Sequence, residues 1–341
     1  AMMALKGRNA IIIAPSPAGL VTTTRTVDLM REALVNMGAP ADLVQVLPSP
    51  VSKALTNTLM QQVDLSVVTG SQNNVRSAYS SGKPAIGVGA GNVPVIIDEG
   101  ADLDAAAKLI EASKTFDNST SCSSENSVII VDSVYDDAIK ALEGAGAWLA
   151  SAEQKEQIEN NLWVDGKLNR HLIARDASVL ADMIGLPEDA GRSRYFMVEE
   201  TGIGKDYPFS DEKLALVLTV YRAKDFQHAK QLVSDILEFK GKGHSCGIHT
   251  DNLDHARELA EDLEVVRVLV NQAHTFGNGG GFNSGLNFTL SMGCGTWQGN
   301  SLSENLSWKN FINITHLSTT IPEDKPSEEE LFGGYWARHG Q

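Results

Sequence analysis

Short apolar runs alternate with amphipathic stretches along most of this chain, and that alternation leaves few folds open. Residues 9–14 read as a short buried strand stopped by Pro15 and Pro17, and residues 24–37 place Val27, Met30, Leu34 and Met37 at helical spacing before Gly38. The pattern repeats with a strand at 42–47, a helix at 52–63, a strand at 65–68 running into Thr69-Gly70-Ser71, and extended segments at 84–88 and 93–97. A helix at 103–114 precedes a polar, hydroxyl-rich loop at 116–125. Strands at 127–131, 214–221, 245–250 and 265–270 then interleave with helices at 134–142, 152–160, 226–239 and 253–263. Alternation with short connections predicts an α/β protein with a parallel, doubly wound sheet. At 341 residues, two α/β domains are expected: a nucleotide-binding domain over 1–115, a catalytic domain over 116–300, and a C-terminal segment with an acidic tail over 301–341. No internal repeat recurs at a fixed period.

The apolar fraction of 42% and charged fraction of 21% are those of a globular protein. No apolar run approaches a membrane span, and the start of the chain lacks a secretory apolar segment. A net charge of −15 repels phosphate backbones, so nucleic acid is not an expected partner. Cys122, Cys246 and Cys294 lie far apart, giving neither a disulfide framework nor a metal-ligand spacing. No metal is expected, and a reducing, cytoplasmic setting is.

Cys122 is the residue with chemical promise. It sits in Thr115-Phe116-Asp117-Asn118-Ser119-Thr120-Ser121-Cys122-Ser123-Ser124-Glu125-Asn126-Ser127, flanked by small polar residues between a helix and a strand. A loop of that kind can expose sulfur and aim backbone N–H groups at a developing oxyanion. Most lone cysteines are core filler. Cys246 falls in a strand, and Cys294 lies between glycines with no base nearby in sequence.

Phe116-Asp117-Asn118 followed by Cys122, with Ser124-Glu125-Asn126-Ser127 behind it, resembles the nucleophile loop of CoA-acylating aldehyde dehydrogenases. Further segments agree in order, among them residues 4–12, 68–71 and 79–92, Glu212-Lys213-Leu214, Gly241-Lys242-Gly243-His244, and Gly293-Cys294-Gly295-Thr296-Trp297. The loop is most similar to that of the acylating sulfoacetaldehyde dehydrogenases. The resemblance implies an aldehyde-dehydrogenase-like fold with a partial Rossmann-type nucleotide domain. It also implies conversion of an aldehyde, coenzyme A and NAD(P)⁺ to an acyl-CoA through a thioester on Cys122, in either direction.

Hydrolytic relatives carry a glutamate base in the segment that here reads Gly87-Val88-Gly89-Ala90-Gly91-Asn92-Val93-Pro94, with Val88 at that position. Without a base to activate water, the thioester should wait for a better nucleophile. Gly89 and Gly91 are expected to let the backbone lie close to the nicotinamide side of the cofactor. Thr69, Gly70 and Ser71, at a strand end before a helix, suit a pyrophosphate, and equally suit an ordinary capped turn. Glu212 matches the glutamate that holds the nicotinamide ribose; a surface glutamate is the alternative. His244 can deprotonate the coenzyme A thiol, line the substrate pocket, or be structural. Arg76, Lys242 and the hydroxyls around Cys122 can favour a small anionic substrate, or simply be solvated. Ala14-Pro15-Ser16-Pro17 lacks a carboxylate that would repel a 2′-phosphate, so NADP is expected to be accepted as well as NAD.

Similar enzymes form dimers and tetramers, so a homo-oligomer is implied. They also carry an N-terminal portion ahead of residue 4, including an asparagine that donates to the oxyanion. The expectation is therefore a shortened, weakly active chain, since losing one oxyanion donor typically costs about two to three orders of magnitude in rate. Two alternatives stand beside the leading one: a hydrolytic aldehyde dehydrogenase, and an inactive fragment serving only in binding or assembly.

Overall fold

The computed structural model describes residues 1–70 and 72–341. Contacts divide them into residues 1–311 and 312–341. After the short helix α1 (Met2–Lys6), the first part begins with two small parallel pairs. Strand β1 (Ile11–Ile13) leads through α2 (Leu20–Asn36) to its partner β2 (Val44–Val46). Helix α3 (Lys53–Gln62), capped by Ser52, leads to β3 (Ser66–Thr69), which pairs with β4 (Ala85–Val88) after α4 (Gln72–Tyr79).

The remaining strands form one parallel sheet and one small antiparallel pair. They are β5 (Val93–Ile97), β6 (Glu125–Val131), β7 (Ala147–Leu149), and, after a small antiparallel pair, β8 (Trp163–Val164) with β9 (Lys167–Leu168), the strands β10 (Tyr195–Glu199), β11 (Val217–Ala223), β12 (Cys246–His249) and β13 (Val268–Val270). Seven of them form one sheet in the order β13-β12-β5-β6-β11-β10-β7. This is the doubly wound α/β arrangement expected. The sheet begins at β5, so it extends across residue 115, where the sequence suggests a boundary.

Burial on both faces explains why these strands read as continuous apolar runs rather than alternating ones. In β6, Val128 and Ile130 pack with α5 (Leu103–Thr115), α6 (Tyr135–Gly144), α7 (Ala152–Leu162) and α8 (Ala177–Ile184), joined by the short α9 (Glu188–Arg192). Ile129 and Val131 face the opposite way, onto α10 (Phe226–Phe239) and α11 (Leu253–Asp262). Asp102, Asp225 and Asn252 cap α5, α10 and α11 by accepting from early backbone N–H groups. Each cap is worth about 1 kcal/mol.

Residues 271–311 carry one five-residue helix, α12 (His274–Asn278), and otherwise 3-10 turns and loops. In residues 312–341, the acidic stretch seen in the sequence continues into α13 (Glu328–His339), where Ser327 and Glu330 form a reciprocal cap.

Candidate active site

Cys122 lies in the connection from α5 to β6. β6 is hydrogen-bonded on both sides, to β5 and β11, and all seven of its residues are buried. The loop leaves α5 through three consecutive residues in the left-handed region, Asp117 (φ 47°), Asn118 (φ 50°) and Ser119 (φ 64°). None is glycine, so the backbone is strained and must be held from outside.

The restraints come from several directions. The Asn118 amide donates to Asp176 Oδ1 at 2.8 Å and to the Ala174 carbonyl at 3.3 Å. Thr120 Oγ1 donates to the Asp117 carbonyl. Beneath the loop, Lys114 Nζ donates to Ser119 Oγ and to the Glu125 carbonyl, each at 2.8 Å, and Ser119 Oγ lies 2.9 Å from Ser124 Oγ. Beyond the nucleophile, Ser123 is gripped twice by α12: His274 Nδ1 meets its carbonyl at 2.9 Å, and Asn278 Nδ2 donates to its hydroxyl at 2.7 Å. A carbonyl only accepts, so Nδ1 of His274 carries the proton. The Glu125 carboxylate accepts from the His274 backbone N–H at the start of α12.

The sulfur is half-buried and reduced. Burial first, then the nearby Glu212 and Cys294, push the Cys122 thiol up to about 12. Glu212 is itself pushed up to about 7, chiefly by burial. Cys294 Sγ donates to the Met292 carbonyl at 3.7 Å, and burial pushes its thiol up to about 11. Sequence reading set Cys294 aside, yet the fold brings it into the electrostatic surroundings of the nucleophile.

Gly89 and Gly91 both pack closely against protein atoms. A β-carbon on Gly91 would lie 2.0 Å from the Cys122 carbonyl oxygen, and one on Gly89 would lie 2.0 Å from Gln298 Oε1. Gln298 reaches back to donate to the Ala90 carbonyl at 2.7 Å. Val88 is buried, and no carboxylate occurs from Gly87 to Pro94.

His244 is fully buried just ahead of β12. Its Nδ1 lies 2.7 Å from Ser245 Oγ, its Nε2 has no partner among the described residues, and burial lowers it to about 3, so the ring is neutral. Thr69 and Gly70 sit at the carboxyl end of β3, exposed, with Gly70 at φ 125° and open space where a β-carbon would project. That open strand end fits a phosphate-bearing cofactor. Ser71 lies outside the described residues. Lys242 is paired with Glu238 and Glu264, and so is not free to attract an anionic substrate. Among the described residues, no group of three or more His, Cys, Asp or Glu could hold a metal ion. No helix among them is long and apolar enough to cross a membrane.

Lys114, His274 and Asn278 escaped the sequence reading. The one available signal was the phase of α5, where Lys114 follows Ala107 and Ile110 on the buried stripe.

Known proteins resemble this chain in sequence and fold. Residues 1–157 match the model of the aldehyde dehydrogenase family. The acylating sulfoacetaldehyde dehydrogenase of Cupriavidus necator is 49% identical over 339 residues, covering 99% of this chain and 69% of that protein. Its counterpart in Bilophila wadsworthia is 42% identical over 342 residues, covering 99% of this chain and 73% of that one. The crystal structure of an acetylating aldehyde dehydrogenase from Geobacillus thermoglucosidasius superposes with a TM-score of 0.90 at 35% identity, over 96% of this chain and 72% of that chain. The chain therefore belongs to the aldehyde dehydrogenase family, among its CoA-acylating members.

Proposed function

We propose that the aldehyde is sulfoacetaldehyde or a similarly short aldehyde bearing an anionic group, and that NADP is accepted alongside NAD. The substrate reading is supported by the names of the relatives at 49% and 42% identity. The NADP reading is supported by the absence of any carboxylate in Ala14-Pro15-Ser16-Pro17. Thr69, Gly70 and Glu212 would hold the cofactor, with Glu212 on the ribose. When bound, the nicotinamide supplies the hydride acceptor.

The chemistry of the chain's own residues follows from the loop. The sulfur of Cys122 adds to the aldehyde carbon while its proton passes to the oxygen, giving a thiohemiacetal. Loss of hydride together with release of the hydroxyl proton to solvent leaves a thioester on sulfur. Transfer to coenzyme A needs its thiol deprotonated. That proton is assigned to His244, whose Nε2 has no partner among the described residues. The coenzyme A sulfur attacks the thioester carbonyl, and Cys122 leaves as thiolate. Association into a homo-oligomer belongs to the same proposal.

One observation carries the choice of coenzyme A over water. The backbone pressed against Cys122, from Gly87 to Pro94, holds no carboxylate to activate water. The test follows reduced cofactor with sulfoacetaldehyde, acetaldehyde and succinic semialdehyde, with and without coenzyme A. Turnover that requires coenzyme A, is fastest with sulfoacetaldehyde and vanishes in Cys122→Ala supports the proposal. Steady release of free acid without coenzyme A overturns it.

A further inference from the structure

We propose that Lys114 is a positioning residue for the nucleophile, its buried Nζ tying together the two arms of the Cys122 loop. The two hydrogen bonds of Nζ go to Ser119, three residues before the sulfur, and to Glu125, three residues after it. One side chain thus spans the loop from below and closes it like a strut. Ser119 is the last of the three left-handed residues, so the tether acts on the strained stretch itself.

The surroundings argue against simple space-filling. Lys114 has no exposed surface, and burial lowers it from an ordinary 10.5 to about 7, so holding a charge there is costly. A methionine would fill a similar volume without that cost, so stability alone gives no reason for a lysine. What a methionine cannot do is donate to Ser119 Oγ and to the Glu125 carbonyl together. The groups facing the ammonium can also survive its removal. Glu125 is pushed up to about 7 by burial and can become neutral, while Lys213, which feels the like charge of Lys114, gains from its loss. The variant therefore leaves no unpaired buried charge and is expected to fold.

The role rests on Cys122 being the nucleophile, but not on the identity of the aldehyde, and the test separates the two. Alkylation of Cys122 by iodoacetamide, followed by mass spectrometry of its peptide, needs neither substrate nor cofactor. In Lys114→Met the melting temperature is expected to hold or rise, while Cys122 alkylation falls about tenfold or more. In turnover, kcat falls with it and the KM for coenzyme A does not change. Misplacement of a reacting group by about 1 Å can cost about a hundredfold, so a tenfold loss is within reach of a slackened loop. Ser119→Ala removes only one tether and should give a smaller loss in the same direction, which keeps the question open to test if Lys114→Met fails to fold. Wild-type alkylation and kcat in Lys114→Met, or in Ser119→Ala should the methionine variant not fold, overturn the proposal. So does a fall in melting temperature with the reactivity of the folded molecules unchanged. If the wild type alkylates normally but shows no turnover with any aldehyde, the substrate reading fails and this one stands.

Discussion

Gly91 lies so close to Cys122 that a β-carbon on the glycine would sit 2.0 Å from the cysteine's carbonyl oxygen. The obstacle is backbone, which cannot swing aside. Gly91→Ala should therefore displace the nucleophile and lower kcat by about a hundredfold, with the fold retained by circular dichroism. Gly89→Ala should be milder, because its β-carbon meets the flexible end of Gln298. Equal losses from the two variants would contradict this account.

Glu212 raises the Cys122 thiol by like charge, on top of burial. Replacing it with glutamine removes that charge and brings the thiol down from about 12. Thiolate is the reactive species, so alkylation of Glu212→Gln at pH 8 should be faster than wild type. Cofactor affinity should fall in the same variant. A slower alkylation would show that Glu212 helps the sulfur rather than hindering it.

Three buried histidines set the acid limit of the fold. Burial lowers His244 to about 3 and His249 and His274 to about 4, from an ordinary 6.5. As pH falls below 6.5 the unfolded chain takes up protons that the folded one refuses, so stability falls. Glu125 and Glu212, raised to about 7 from 4.5, act the other way, because the folded chain keeps their protons down to pH 4.5. From 6.5 to 4.5 the histidines outweigh these two carboxyls by one proton, three minus two, and between 4.5 and 4 all three count. Lys213, held well below its ordinary value by burial, acts on the histidine side. Each proton is worth roughly 1.4 kcal/mol per pH unit. Denaturant unfolding at stepped pH should show a shallow decline that steepens below pH 4.5. A uniform slope would disprove this balance.

The pairs β1–β2 and β3–β4 are two-stranded, whereas β6 has partners on both sides. Two strands alone are marginally stable, so hydrogen exchange should be fast in β1 to β4 and slow in β5, β6 and β11. NADP should slow exchange at Thr69 and Gly70 if that strand end receives the pyrophosphate. No change there would place the cofactor elsewhere.

The main sheet was legible because its strands are buried on both faces, so that 127–131 reads as one apolar run. Boundaries shifted where tertiary contacts decide them: α2 starts at Leu20 rather than near residue 24, and β13 is confined to Val268–Val270. Cys122 was legible from its small polar neighbours and from the resemblance they carry. His274 and Asn278 were not, because a five-residue helix has too little periodicity to read and their partner Ser123 lies 151 and 155 residues away. Lys114 was written plainly in the phase of α5, but a lysine on an apolar stripe passes for an interruption until its partners are seen.

The two sides of the nucleophile are built from different material. Its foundation is β6, the middle of the sheet, and its outer wall is α12, set in the irregular stretch from 271 to 311. Irregular chain tolerates rewriting far better than a central strand. The sulfur can thus stay in register on its strand while the wall around it is rewritten.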